Sequence, residues 1–351
     1  MTQSRYSFIQ ALLAAALFGL SAPAAKLLLG KIEPVTLAAL LYLGCGFGLM
    51  ALKVLQRAAG LRWAREASLT RTDLGWLSGA TLVGGVAAPI VMMVSLRQAT
   101  ASTASLLLNF ESIATVLIAA VLFKEAVGRR VWAAVAFVAL AAVLLSVEPG
   151  GRWVVSLSSL GVLLACVLWG LDNNFTQRIS GKDPLVSAMI KGIVAGIVTL
   201  ALSRIAGDQL PGLLPSLGAL ALGFVSYGLS IYLFILSLRG LGAARTGALF
   251  GTAPFIGVAG SLILFGMAIT WQFMLAFPLM VAGAYLLLSE QHGHRHAHEE
   301  FEHAHAHAHD EHHQHNHDET PTGKVHAHLH KHPVLTHVHS HTPDIHHRHD
   351  H

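Results

Sequence analysis

Residues able to do chemistry fall into two groups in this chain. The first is a set of 23 histidines, every one at or after His292. HAHAHAHDEHHQHNHDE occupies residues 303–319, and PDIHHRHDH closes the sequence at 343–351. Neutral imidazole is a good ligand for Ni2+, Co2+, Zn2+ and Cu2+, and near neutral pH most histidines are neutral. His303, His305, His307 and His309 form one cluster. His312, His313, His315 and His317 form a second, and His346, His347 and His349 a third. Two rings are expected to meet at one ion where the backbone bends. The affinity order of these metals does not choose nickel over copper or zinc. Titration near pH 6.5 leaves pH sensing open as a second use. The segment runs for about sixty residues with acidic and apolar interruptions, unlike a purification tag. Its composition cannot bury a core, so it is expected to be disordered without metal.

The second group is sparse and lies inside long apolar runs, where a charge is costly and functional by default. Glu111 sits in the middle of SLLLNFESIATV. It is suited to ligate a cation or carry a coupling proton; a structural ion pair is the plain alternative. Ser105 and Asn109 are four apart on one helix face, with Ser102 and Ser112 extending it, while Glu111 falls on a neighbouring face with Leu107 and Thr115. Asp172, Asn173 and Asn174 offer oxygen ligands or a polar helix end. Lys191, in SAMIKGIVAG, either pairs with Glu111 or extends its stem to the surface, and the second is the expectation. Tyr227 and Ser230 share a face suited to line a cavity. Met92, Met93, Cys45 and Cys166 are soft donors, although such residues in apolar helices usually pack. Two cysteines make neither a disulfide framework nor a zinc motif.

The elements that position these residues are helices in a bilayer. The 351 residues are 54% hydrophobic and 12% charged, against about 25% charged in soluble domains. The mean hydropathy is +0.57. A bilayer core of about 30 Å takes about 20 apolar residues per helix. Ten stretches fit: 8–28, 34–55, 74–96, 101–123, 130–148, 155–174, 184–205, 213–236, 243–265 and 270–289. The first also has the outline of a signal peptide, but the run continues through Lys26-Leu-Leu-Leu and has an internal match, which favours a retained helix. With the N-terminus in the cytoplasm, that side receives Arg5, Lys53, Arg57, Arg62, Arg65, Arg71, Lys124, Arg129, Arg130, Arg178, Lys182, Arg239 and Arg245. The other receives Lys26, Lys31, Arg97, Arg152 and Arg204. The positive-inside bias therefore puts both termini and the histidine tail in the cytoplasm.

LRQATASTASLLLNFESIATVLIAAVLF (96–123) aligns without a gap with LRGLGAARTGALFGTAPFIGVAGSLILF (238–265), an offset of 142 residues. ALLAAALFG (11–19) resembles GVLLACVLWG (161–170). Five stretches per half invert the second half relative to the first, a common plan of secondary transporters, with the substrate between the halves. Pro23, Pro89, Pro254 and Pro278 are candidate helix breaks, and Pro254 adjoins Ala253, the repeat mate of Glu111. There is no HExxH and no GxxxxGK[ST], so neither a zinc protease nor an ATP engine is encoded. The formal charge of +4 gives no ground for a nucleic-acid partner.

Phe18-Gly19, Trp169-Gly170, Lys26 and LFKE at 122–125, in two five-helix halves, resemble the drug/metabolite transporter superfamily, EamA type, over about residues 1–289. LFGM at 264–267 lacks the mate of Glu125, and Gln177 replaces the lysine. The resemblance implies a ten-helix exporter with a central cavity and makes Lys26 a path residue for gating or pairing. The long His/Asp/Glu tail is similar to that of nickel and cobalt efflux members.

The fold expected is all-α integral membrane: ten helices as two inverted repeats, 1–149 and 150–290, plus a disordered tail, 291–351. The function expected is non-enzymatic export of divalent metal, Ni2+ or Co2+ first, with no required cofactor. Export of small organic metabolites or amino acids, with a regulating tail, is the alternative, and a membrane-anchored metal buffer a further one. Membrane lipid and the cargo are the expected partners, and a homodimer is admitted.

Overall fold

The computed structural model describes residues 2–59, 68–122, 129–146, 156–179, 182–241, 249–266, 269–288, 292–298, 301–307, 326–332 and 335–341. LFKE at 122–125 is described only at Leu122.

The apolar runs form helices: α1 Thr2–Gly19, α2 Ser21–Leu28, α3 Pro34–Ala58, α4 Asp73–Ala80, α5 Ala88–Gln98, α6 Ala101–Leu107, α7 Phe110–Leu122, α8 Arg129–Ser146, α9 Leu157–Arg178, α10 Pro184–Ile205, α11 Leu213–Leu222, α12 Ser230–Leu241, α13 Ala253–Phe265 and α14 Trp271–Leu288. Local signals set several starts. Pro34 and Pro184 open α3 and α10, where the missing N–H costs nothing. The Asp183 carboxylate accepts from the N–H groups of Leu185 and Val186 at 3.0 and 3.1 Å, an N-cap. Thr100 accepts from Thr103 N at 3.1 Å and starts α6.

Among the described residues, six helical stretches are long and apolar enough to cross a membrane: Tyr6–Leu28, Pro34–Ala58, Asp73–Gln98, Leu157–Arg178, Leu185–Ile205 and Leu213–Ser237. In the other four expected stretches the described residues hold shorter apolar helices, Ile113–Leu122, Trp132–Ala141, Ala253–Phe265 and Trp271–Gly283.

Several of the expected stretches depart from plain α-helix. The one at 101–123 is broken by a turn at Leu108–Asn109, between α6 and α7. Asn109 Nδ2 donates to Leu106 O at 3.0 Å, and Cys166 Sγ approaches Leu107 O at 3.6 Å, so side chains take up carbonyls that the break releases. Between α4 and α5, Thr81–Ala87 is a π-helical turn, and between α11 and α12, Gly223–Leu229 is another. The second begins 142 residues after the first, the offset of the sequence repeat. Such turns are rare and cluster at functional sites.

Glycines bring helices from the two halves of the chain together. A Cβ on Gly19 would collide with Ala253 O and lie 3.2 Å from Ile256 Cβ, so α1 is seated on α13. A Cβ on Gly170 would lie 2.8 Å from Thr115 N and 3.0 Å from Ala114 Cβ, so α9 is seated on α7. Ala114 and Ile256 occupy the same position of the repeat. The two aromatic-glycine pairs thus do the same work: each seats a helix of one half on a helix of the other. Gly44 and Gly46 let α3 lie close to α11 and α10, the small-residue contact that substitutes for hydrophobic drive in lipid.

The tail is not wholly disordered. β1 His292–His298 pairs antiparallel with β4 Leu335–His341, and β2 Phe301–His307 with β3 His326–His332. Composition argues for disorder, but strict His-x-His alternation has the period of a strand. The register sets His292, His294 and His296 opposite His341, His339 and His337. It sets His303, His305 and His307 opposite His330, His328 and His326. His309, His312, His313, His315, His317, His346, His347 and His349 lie outside the described residues.

Candidate transport site

The break before α7 places Glu111 in that helix's first turn, about midway along the stretch. Asn173 Nδ2, from α9, donates to Glu111 Oε1 at 3.0 Å and to Thr115 Oγ1 at 3.1 Å. The neighbouring Asn174 donates to Thr115 O and Gly170 O at 3.0 and 2.8 Å. Glu111 is half-buried as a residue and Asn173 is exposed.

One residue before Asn173, the Asp172 carboxylate forms an ion pair with Lys191 of α10 and accepts from Thr176 Oγ1 at 3.2 Å. Asp172 is 5% exposed. It rests on the first π-helical turn, where a Cβ on Gly84 would overlap Asp172 Oδ2. Gly84 O accepts from Tyr42 Oη at 2.7 Å and Trp169 Nε1 at 3.1 Å. A cluster of aromatic rings continues from Tyr42: Tyr227 lies 5.9 Å from it and 6.1 Å from Phe18, and Phe250 lies 5.4 Å from Phe18 and 4.9 Å from Phe234.

Among the sequence candidates, Glu111, Asp172, Asn173 and Lys191 are brought together, and Tyr227 adjoins them through Tyr42. Lys191 does not extend to the surface as expected, nor does it take Glu111 as partner. Asp172 on the adjacent helix lies within its reach, and pairing there satisfies both charges. Lys26 is placed elsewhere. Its ammonium donates to Leu96 O, Arg97 O and Ala99 O at 2.6, 2.7 and 2.7 Å. It thus caps the C-terminus of α5, where a cation is favoured. Ser105 faces α13 rather than Glu111: a Cβ on Gly257 would lie 2.8 Å from Ser105 Oγ. Asn109 serves the helix break. Ser230 donates to Ala14 O at 2.9 Å and joins helices rather than lining a cavity. Met92, Met93, Cys45 and Cys166 are buried packing residues.

Reasoning from sequence misses Gly84, Tyr42, Trp169 in its donor role, and Thr115 as a partner of Asn173. The adjacent Gly84-Gly85 in an apolar run is the available signal of close approach. Among the described residues no three His, Cys, Asp or Glu side chains converge as a metal site would need. A cation at Glu111 would draw on carboxylate, amide, hydroxyl and water oxygens.

The two ends of the bundle differ. At the Lys53 end, contacts join the halves: Lys53 with Asp183 at 3.0 Å, Lys182 with Asp73 at 3.4 Å, Gln56 with Tyr232 at 3.0 Å, and Arg178 over the Trp76 ring at 5.8 Å. At the Lys26 end one such contact, Thr36 Oγ1 donating to Asp208 at 3.1 Å, also joins the halves, beside a cavity of about 590 Å3 lined by Lys31, Glu33, Arg97 and Asp208 among others.

A helical multi-pass bundle with a carboxylate beside a broken helix has the form of a membrane transporter. The profile of the EamA-like transporter family matches residues 5–147 and again 156–289. The chain belongs to the EamA-like transporter family. A protein of Methanothermobacter thermautotrophicus described as an uncharacterized transporter is 27% identical over 296 residues, covering 80% of this chain and 86% of the relative. A solved crystal structure of a protein shares the fold at a TM-score of 0.55 and 20% identity, covering 82% of this chain and 96% of that one.

Proposed function

We propose that the chain is a secondary active exporter of the cytoplasmic membrane. Ten helices form two inverted repeats, 1–149 and 150–290, and the tail, 291–351, lies in the cytoplasm with the N-terminus. The Lys53 end is then the cytoplasmic mouth. The observation that carries this reading is Glu111: a mid-stretch carboxylate just past a helix break, hydrogen-bonded to Asn173 of the other half. Broken helices and a mid-span carboxylate suit cation binding and alternating access. The closed contacts at the Lys53 end and the cavity at the Lys26 end suit an outward-facing state.

The cargo proposed is a divalent transition metal, Ni2+ or Co2+ first, exchanged for protons at Glu111. The histidine tail supports this, since it would raise metal concentration at the inner mouth. A second reading is favoured by the rings of Phe18, Tyr42 and Tyr227, which suit an organic cargo, a cationic metabolite above all. A membrane-anchored metal buffer is the third.

The test is nickel and cobalt efflux from preloaded cells carrying the whole chain, a chain ending at Gln291, or Glu111→Ala. Metal export by the first two and not the third supports the metal reading. No export by any version moves the search to organic cations, and a metal phenotype that vanishes with the tail alone indicates a buffer.

A further inference from the structure

The Asp172–Lys191 pair has features that a structural strut does not need. Both members come from the second half of the chain, on α9 and α10, so the pair ties nothing across the central interface. Each helix is already seated on the first half through glycines, α9 on α7 at Gly170 and α10 on α3 at Gly192 and Gly196, and a buried ion pair holds two helices no better than an apolar pair of similar size. The pair nevertheless places two charges deep in the bundle, with side chains 18% and 7% exposed for Lys191 and Asp172. It also adjoins the site: Asn173, the next residue, holds Glu111. A Cβ on Gly84 would overlap the carboxylate, so only glycine there lets Asp172 sit against the π-helical turn. Lys191 reaches it on a flexible four-carbon stem, which lets the ammonium withdraw without moving a helix.

We propose that Lys191 is a tethered stand-in for the cargo. When the site is empty, its ammonium neutralises Asp172, and the carrier can switch between its two faces without an uncompensated buried carboxylate. An arriving cation takes Asp172 and displaces the ammonium, so the loaded carrier switches with the cargo in that place. No bond is made or broken. The proposal rests on the alternating-access reading above, but not on which cation is carried.

Its consequence is specific to the empty carrier. Lys191→Gln leaves Asp172 unpaired and holds the empty carrier on the one face where that carboxylate meets water, so the other face loses population. Adding Asp172→Asn removes the charge that needed neutralising and restores both faces. A packing role would give the opposite order, with the double variant at least as impaired as the single one. The experiment uses the full chain in nanodiscs containing EDTA and no nickel or cobalt. Cys45→Ala and Cys166→Ala remove the native thiols, and spin labels are placed through Arg57→Cys and Leu185→Cys at the Lys53 end. Distances are read by double electron–electron resonance.

The parent is expected to show two distance populations. Lys191→Gln should lower the minor one at least tenfold, and Lys191→Gln with Asp172→Asn should return it. A single population in the parent, two undiminished populations in Lys191→Gln, or a double variant that stays in one state would each overturn the proposal. Nickel and cobalt efflux by the parent is measured separately. Its absence would remove the metal reading and leave this one to be decided by the distances.

Discussion

The Asp172 carboxylate lies directly against Gly84, where a Cβ would overlap Oδ2. One missing carbon atom therefore decides whether α9 and the π-helical turn can meet at the site. The carbonyl of the same glycine accepts from both Tyr42 and Trp169, so three elements register on one residue. Gly84→Ala should displace Asp172 and cost about 1–3 kcal/mol of stability by overpacking. Thermal unfolding in detergent should show a lowered Tm together with lost transport. Unchanged transport would mean that Asp172 can move without consequence.

Glu111→Gln keeps the shape of the side chain and removes its charge. Transport should fall at least tenfold while Tm stays near that of the parent, because the amide can still accept from Asn173. Asn173→Ala should do less, raising the half-saturating cargo concentration before it lowers the maximal rate. Efflux rates across a cargo series distinguish the two.

Lys26 satisfies three carbonyls at the end of α5. Lys26→Met should expose them and destabilise the fold by about 1.5–3 kcal/mol, as for hydrogen bonds to a charged group. The half-saturating cargo concentration should not change in protein that remains folded. A change in apparent affinity without a fall in Tm would return Lys26 to the transport path.

Lys53–Asp183 and Lys182–Asp73 close one end of the bundle while remaining partly exposed, with side chains 27% and 23% exposed in the first pair and 26% and 13% in the second. Pairs of this kind contribute about 0–1 kcal/mol each. Lys53→Gln or Lys182→Gln should shift the balance toward opening at that end by up to about fivefold. Both together should shift it further. Alkylation of a cysteine introduced below these pairs reads the shift, and high salt should mimic it.

On the proposed metal reading, a chain ending at Gln291 should still export metal at high cytosolic concentration and lose efficiency at low concentration, because the tail would act through local concentration. Efflux measured across a range of preloading levels should converge at the top and separate at the bottom.

Much of the fold is legible in the amino-acid sequence. Apolar runs of bilayer length, the punctuation by Pro and charge, and the ungapped repeat follow from local chemistry and period. So does the candidacy of Glu111, because a charge in an apolar run needs a reason. What does not follow depends on which helix face meets which. Lys191 has two courses open to it by position, and helix spacing alone cannot bring Asp172 within its reach. The break at Leu108–Asn109 has no proline to announce it; a neighbouring thiol and an amide make it tolerable. The strands of the tail are hidden for a different reason. There composition and periodicity point in opposite directions, and His292–His298 and its partners follow the period.

The seating of α1 on α13 and of α9 on α7 bears on how the molecule is made. The backbone that receives Gly19, at Ala253, is synthesised more than 230 residues after it. The receptor of Gly170, at Thr115, already exists when α9 is translated. The opening helix must therefore wait in lipid or with a chaperone, its groove unfilled, until nearly the whole membrane portion has left the ribosome. The later half docks as it emerges. Assembly is thus directional in time even though the finished contacts are nearly symmetric: one glycine waits for its seat and the other meets a seat already made.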